Sequence, residues 1–208
     1  MEQRPAEVDR VAYEREARAA GYTHIAGVDE VGRAAWAGPM LAAAVILPED
    51  FDPSGIRDSK KKRTSSLHAA YERIQEGAVA IGLAEISAQQ IDELGIDNCH
   101  MRILREAVRA LRQQPDYVLV DHYEIPELGI DQCPIPQGDD LSVSIAAASI
   151  IAKVTLDRIM EEYEGQYPGY GFGTQHGYGG PEHEKALDTL GISPIHRRSV
   201  RPVRDRLK

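Results

Sequence analysis

Residues 142–164 read SVSIAAASIIAKVTLDRIMEEYE. From Ile145 to Ala152 every side chain is apolar or small, so a helix built here presents no face to water and must lie in the interior. Ile150, Val154 and Asp157 stand at i, i+4 and i+7, which puts one carboxylate on a face shared with two core residues. An acid in that position is costly unless it is neutralised or coordinated.

The chain on either side supplies what such a helix packs against. Upstream, YVLVD (117–121) is a short buried strand that ends on Asp121, and Pro115 closes a helix over about 98–113 with Met101, Leu104, Ala107, Val108 and Leu111 on one face. Ser87 with Gln90 at N3 forms a capping-box pattern that opens the helix AQQIDEL. Three strand-like segments precede it, at about 22–29, at LAAAVIL (41–47) and at AVAIGLAEI (78–86), with a helix over roughly 65–76. A first helix from about Ala6 to Ala20 stops at Gly21 and is expected on the outside of the domain. Downstream of Gly165 comes a Gly- and Tyr-rich stretch, then a short helix with Pro181 at N1 that closes at Gly191. There is no internal repeat. Early strands, interleaved helices and a helical C-terminal third predict an α/β layered arrangement around one sheet. All 208 residues are expected in a single domain: an N-terminal helix (1–21), a core (22–164) and a C-terminal segment (165–208).

Charge is segregated. The net charge is −9, yet residues 57–63 (RDSKKKR) and 196–208 (HRRSVRPVRDRLK) hold 11 of the 24 Lys and Arg and only two of the 33 acids. An acidic body with two basic segments permits local phosphate contacts; alternatively each segment is a solvated loop or tail. No apolar run approaches the roughly 20 residues of a membrane span. The charged N-terminus lacks the apolar run of a secretory signal. Cys99 and Cys133 match no disulfide framework or zinc spacing and read as ordinary thiols, so a cytoplasmic protein is expected.

Two more acids stand out in GVDEVGRAAWAGP (27–39), where Asp29 and Glu30 sit side by side as a strand runs out. Alone, each acid of the set reads as a turn cap or a partner for Arg. Together, Asp29, Glu30, Asp121 and Asp157 suit a hard cation, Mg²⁺ or Mn²⁺, because strand ends of one sheet lie close and a helix across them can bring a fourth carboxylate. A pair of such ions about 4 Å apart acts on phosphodiesters. Gly32-Arg33 just beyond then suits an anion, through exposed backbone N–H groups and a forked guanidinium. Tyr178 could offer its ring to a sugar or base, or simply pack a loop. His176, His183 and His196 match no zinc spacing and are expected at the surface or at helix starts.

AGVDEVGR, AGP, AAAVIL, DSKK, VLVD, SIAAASIIAKVTLDR, YPGYGF, HGY, EH and HRRSVRPV occur in this order over about residues 25–203. Together they resemble ribonuclease HII, the type 2 ribonuclease H family. The resemblance implies a ribonuclease H-like fold, with a mixed central sheet flanked by helices and a helical C-terminal part. It implies cleavage of the RNA strand of RNA–DNA hybrids and incision 5′ of single ribonucleotides in duplex DNA, giving 3′-hydroxyl and 5′-phosphate ends. Its metal carboxylates map onto Asp29, Glu30, Asp121 and Asp157, binding Mg²⁺ or Mn²⁺, two ions with substrate bound. Its Gly-Arg-Gly loop maps onto Gly32, Arg33 and Ala34, and its junction-sensing tyrosine onto Tyr178; Lys60, Lys61, Arg197 and Arg198 are further candidates for phosphate contacts. The implied partners are hybrid and ribonucleotide-containing duplex; a monomer with no membrane contact is expected, and no protein partner is evident from the sequence. A ribonuclease HIII-like hybrid nuclease and a non-cleaving hybrid-binding module are the alternatives. Three departures from the family bear on recognition: Ala34 for Gly, Gln137 for Lys, and Leu156 for Arg. Ala34 is tolerable where its φ is negative.

Overall fold

A computed structural model of the chain describes residues 9–56 and 64–207. The elements in chain order are α1 (Ala12–Ala19), β1 (Ile25–Val31), β2 (Met40–Ile46), α2 (Thr64–Gly77), β3 (Ala80–Ile86), α3 (Ala88–Leu94), α4 (Ile96–Arg109), β4 (Tyr117–Asp121), β5 (Asp131–Ile135), α5 (Gly138–Leu141), α6 (Val143–Gln166), α7 (Phe172–Gln175), α8 (Pro181–Leu190) and α9 (Arg201–Arg204). The five strands form one sheet in the order β3-β2-β1-β4-β5. β1–β2 and β2–β3 pair antiparallel; β1–β4 and β4–β5 pair parallel. It is a mixed sheet, as expected.

Both faces of the sheet are covered, which is why β2 is buried along its whole length rather than in alternation. Met40, Ala42, Ala44 and Ile46 pack with Cys99, Ile103, Leu104, Ala107 and Val108 of α4. Ala43 and Val45 face the other way, toward Ile74 of α2 and Ala147 and Ile151 of α6. The alanines of AAAV keep the strand thin enough for helices on both sides. Gly27 does the same for β1: a Cβ there would lie 2.0 Å from the Ser144 carbonyl carbon, so only a bare Cα lets α6 sit this close. α6 then runs beside β1, with Ser144 against Gly27 and Leu156 against Gly32.

Several boundaries differ from those expected. β1 starts at Ile25, because the Asp116 carboxylate holds the Thr23 and His24 N–H groups (2.9–3.1 Å) in a turn before the strand. α4 begins at Ile96 and ends at Arg109, four residues before the expected stop, although Leu111 stays buried. β5 is not expected from the sequence, since Asp131, Gln132 and Pro134 do not look like a strand; it is an edge strand, where Pro is tolerated. The first helix starts at Ala12 among the described residues; its expected start at Ala6 lies outside them. It is pinned by Glu14, whose buried carboxylate accepts from Ser142 Oγ (2.6 Å) and from the Ser144 N–H (3.0 Å). An acid at the first turn of α6 meets the positive end of that helix.

Candidate active site

Asp29 and Glu30 lie within β1, not beyond it. They pair with Ala43 and Ala42 of β2, while the parallel pairing to β4 stops at Val28–Val120. Beyond Val28 the β4 side of the strand is open, and Asp121 at the end of β4 stands beside that opening. Successive strand residues point to opposite faces. Asp29, 4% exposed, meets the Ser149 hydroxyl of α6, whereas Glu30 Oε1 lies 3.1 Å from Nε2 of His100, a fully buried residue of α4. Asp121 Oδ1 accepts the Gly138 N–H at 2.7 Å.

The electrostatics show how crowded this end of the sheet is. Burial first, then the charges of Glu30 and Asp121 with Asp139 adding, push the Asp29 carboxyl well above the usual carboxylate range, against the hydrogen bond from Ser149. Asp139, a buried acid in the first turn of α5, is a fifth carboxylate at this site that sequence reading missed. Its signal was the GDD triplet after β5. Asp157 is held differently: it pairs with Lys153 one turn earlier on α6, and with Nδ1 of His176 at 3.2 Å. Burial lowers the His176 pKa, and Asp157 opposes that shift. Among the described residues, no three Asp, Glu, His or Cys side chains close into a ready-made metal cage. The donors still fit a hard divalent cation. Asp29, Glu30, Asp121 and Asp139 are carboxylates gathered at one strand end, and a positive ion there would relieve the Asp29 shift.

The loop after β1 is built for close approach. Gly32 has φ +87°, and a Cβ on it would lie 2.9 Å from the Pro39 carbonyl oxygen. Arg33 reaches Asp97 Oδ1 (2.9 Å) and lies 5.6 Å over the Tyr123 ring. Ala34 is exposed and does not have positive φ, so its methyl fits the loop without strain. Tyr178 is 36% exposed on the neighbouring Gly-rich turn.

Two expectations are corrected. Arg197 is not a surface phosphate contact: it is 0% exposed and its guanidinium donates to the carbonyls of Arg33 (3.0 Å), Gly38 (3.0 Å) and Pro39 (2.8 Å). His183 and His196 are likewise internal, hydrogen-bonded to each other at 3.0 Å, although His183 does stand in the first turn of α8. Leu156, one of the three departures from the family, is buried against Gly32. Gln137 adopts a left-handed conformation (φ 58°) just before the Gly138 N–H that meets Asp121. Arg198 is exposed, with its backbone N–H on Asp92. Lys60 and Lys61 lie outside the described residues.

The family model for ribonuclease HII matches residues 26–203, which take in both carboxylate strands, the glycine-arginine loop and the His pair. The chain belongs to the ribonuclease HII family. It is 47% identical to ribonuclease HII of Geobacillus kaustophilus over 213 residues, spanning all of this chain and 79% of that protein. It is also 47% identical to ribonuclease HII of Listeria monocytogenes serotype 4a over 193 residues, covering 93% and 74% of the two chains. Among solved structures, ribonuclease H2 from Pyrococcus horikoshii superposes with a TM-score of 0.75 at 24% identity, over 87% of this chain and 95% of that one. A ribonuclease HIII solved in complex with Mn²⁺ superposes with a TM-score of 0.70 at 18% identity, over 100% of this chain and 75% of its own. These likenesses establish the ribonuclease H-like fold. As a ribonuclease HII family member, the chain is an endoribonuclease acting on the RNA strand of RNA–DNA hybrids, and the family depends on divalent metal. No helix among the described residues is long and apolar enough to cross a membrane.

Proposed function

We propose that this endoribonuclease cuts hybrids and also incises duplex DNA 5′ of a single embedded ribonucleotide, leaving 3′-hydroxyl and 5′-phosphate ends. The observation that carries the reading is the Asp29 carboxyl, buried and crowded by Glu30, Asp121 and Asp139 at the open end of β1. Mg²⁺ or Mn²⁺, two ions with substrate bound, would be held by Asp29, Glu30, Asp121 and Asp157 and would supply an activated water and charge stabilisation at the phosphodiester. The acids act as ligands, not nucleophiles. Ser149 and the Gly138 N–H orient Asp29 and Asp121 from behind, and His100 does so for Glu30. Asp157 would join the set by giving up its pairing with Lys153 and with His176.

The Gly32–Arg33–Ala34 loop faces the backbone around the ribonucleotide, where Arg33 exchanges its exposed Asp97 partner for a phosphate. Tyr178 packs at the deoxyribose that follows. The 2′-hydroxyl is what marks the ribonucleotide among its neighbours. Arg198, Lys60 and Lys61 add charge to the duplex path.

The test is cleavage of a labelled DNA duplex carrying one ribonucleotide, beside an all-RNA/DNA hybrid, in Mg²⁺ and in Mn²⁺, with Asp29→Asn alongside. One cut 5′ of the ribonucleotide, absent in the variant, is expected. A fully active Asp29→Asn in Mg²⁺ would remove the carboxylate assignment. Cutting of the hybrid alone would remove incision at single ribonucleotides.

A further inference from the structure

We infer that the buried His183–His196 pair positions Tyr178 and couples it to the Gly32–Ala34 loop, and thereby sets how well the enzyme recognises a lone ribonucleotide. The inference rests on the reading of Tyr178 as the junction-sensing residue.

The hydrogen bonds of the pair admit one arrangement when both rings are neutral. The Tyr178 carbonyl can only accept, so His183 Nδ1, 2.9 Å away, carries the proton and its Nε2 is bare. His196 Nε2, 3.0 Å from that bare nitrogen, must then donate to it, which leaves His196 Nδ1 as an acceptor. The far end of the chain demands the same tautomer independently. The Ser193 backbone N–H, which can only donate, lies 3.0 Å from His196 Nδ1, and Ser193 Oγ lies 2.7 Å from it. All four ring nitrogens are thus satisfied, in one direction, from Ser193 to Tyr178. A buried polar chain with every partner matched specifies a single geometry, where an apolar pair in the same space would tolerate several.

What the chain orients follows from its two anchors. Tyr178 donates its own N–H to the Gln175 carbonyl at 3.0 Å, while its carbonyl accepts from His183 Nδ1–H. Both peptide units around its Cα are therefore held, and with them the direction in which the ring leaves the backbone. The other histidine belongs to the segment that bridges the recognition loop: His196 pairs with Ala37, and the Gly38 N–H donates to the Ile195 carbonyl at 2.9 Å. Trp36, two residues past Ala34, closes the circuit. Its ring lies 5.3 Å from the His183 ring and against Gly179, where a Cβ would lie 2.0 Å from the indole. The Trp36 backbone N–H donates to the Gly177 carbonyl at 2.8 Å. The loop and Tyr178 are one rigid piece, and the histidine pair is its internal brace.

Steady-state kinetics on the single-ribonucleotide duplex and on the continuous hybrid would be compared for wild type, His183→Phe, His183→Asn, Tyr178→Ala and the Tyr178→Ala/His183→Phe double variant. His183→Phe is expected to lower kcat/KM on the lone ribonucleotide about tenfold, mainly through KM, with a much smaller loss on the hybrid. His183→Asn, whose amide can still donate to the Tyr178 carbonyl, recovers part of the loss. In the Tyr178→Ala background the Phe substitution adds nothing on the lone ribonucleotide, because the residue it positions is gone. Equal losses on both substrates, or the same loss with and without Tyr178, would overturn the inference and leave the pair a purely structural element. Should His183→Phe not fold, Ser193→Ala weakens the other end of the chain and must shift the substrate ratio in the same direction; an unchanged ratio overturns the inference too. Failure of the parent reading is distinct: wild type then leaves the lone ribonucleotide intact while cutting the hybrid.

Discussion

Replacing Arg197 by Met separates a structural arginine from a nucleic-acid ligand. The guanidinium is fully buried and donates to the carbonyls of Arg33, Gly38 and Pro39 at 2.8–3.0 Å. Burial lowers its pKa to about 10, so it remains protonated at neutral pH. Met has similar length and removes the buried charge, but it leaves three carbonyls without their donor. Each unsatisfied buried acceptor costs about 1–3 kcal/mol, partly offset by the relief of burying a charge. A net loss of roughly 3 kcal/mol is expected, which for a domain of this size corresponds to about 6–12 °C in melting temperature. The carbonyls at stake flank the Gly32–Ala34 loop, so cleavage should also fall while the salt dependence of hybrid binding keeps its slope. Circular-dichroism melts and filter-binding at several salt concentrations measure both. A variant that melts within about 2 °C of wild type and binds with a salt slope lower by roughly one would show that Arg197 meets phosphate and that its buried position is wrong.

Other consequences are as direct. Asp29→Asn removes the most crowded carboxylate, so the apo protein should melt about 2–4 °C higher, on the order of 1 kcal/mol, and gain less from added Mg²⁺ than wild type does; a lower melting point would contradict the repulsion. His196 titrates near 4 in the folded chain, pushed down by burial first and by His183, against 6.5 for an ordinary histidine. The unfolded chain therefore takes up a proton that the folded one excludes, and stability present above pH 6.5 is lost as pH falls toward 4, by up to about 3 kcal/mol. Melts from pH 7.5 to 5 should show this slope in wild type and a shallower one in His196→Gln; equal slopes would clear His196 of the effect. Ala34→Gly, at an exposed residue without positive φ, should leave both the melt and the ratio of single-ribonucleotide to hybrid cleavage nearly unchanged, whereas a large rise in that ratio would mean that the methyl obstructs the substrate.

The parts of the fold that were legible share a local cause. The α6 segment is apolar on every side from Ile145 to Ala152, and no environment but the interior accepts that. The Ser87–Gln90 capping box forms as read, since both of its bonds lie within four residues. β5 was missed because DQCPI has no strand pattern of its own; only pairing with β4 holds it extended. Asp139 is illegible for a similar reason, since it reaches the site by the turn after that strand.

The sequence by itself determined the family and the layered α/β architecture, because periodicity and ordered motifs are written in neighbouring residues, and it singled out four candidate acids without Asp139. Tertiary structure alone decided what each charged or aromatic side chain faces. Arg197 and Arg198 are adjacent and chemically identical, yet one is a buried strut and the other is exposed. His183 and His196 look like surface residues until the chain between them folds back and leaves their nitrogens only each other, a carbonyl and a serine to bond. Burial depends on contacts between residues far apart in the chain, and a buried polar group must find a partner wherever the fold places one.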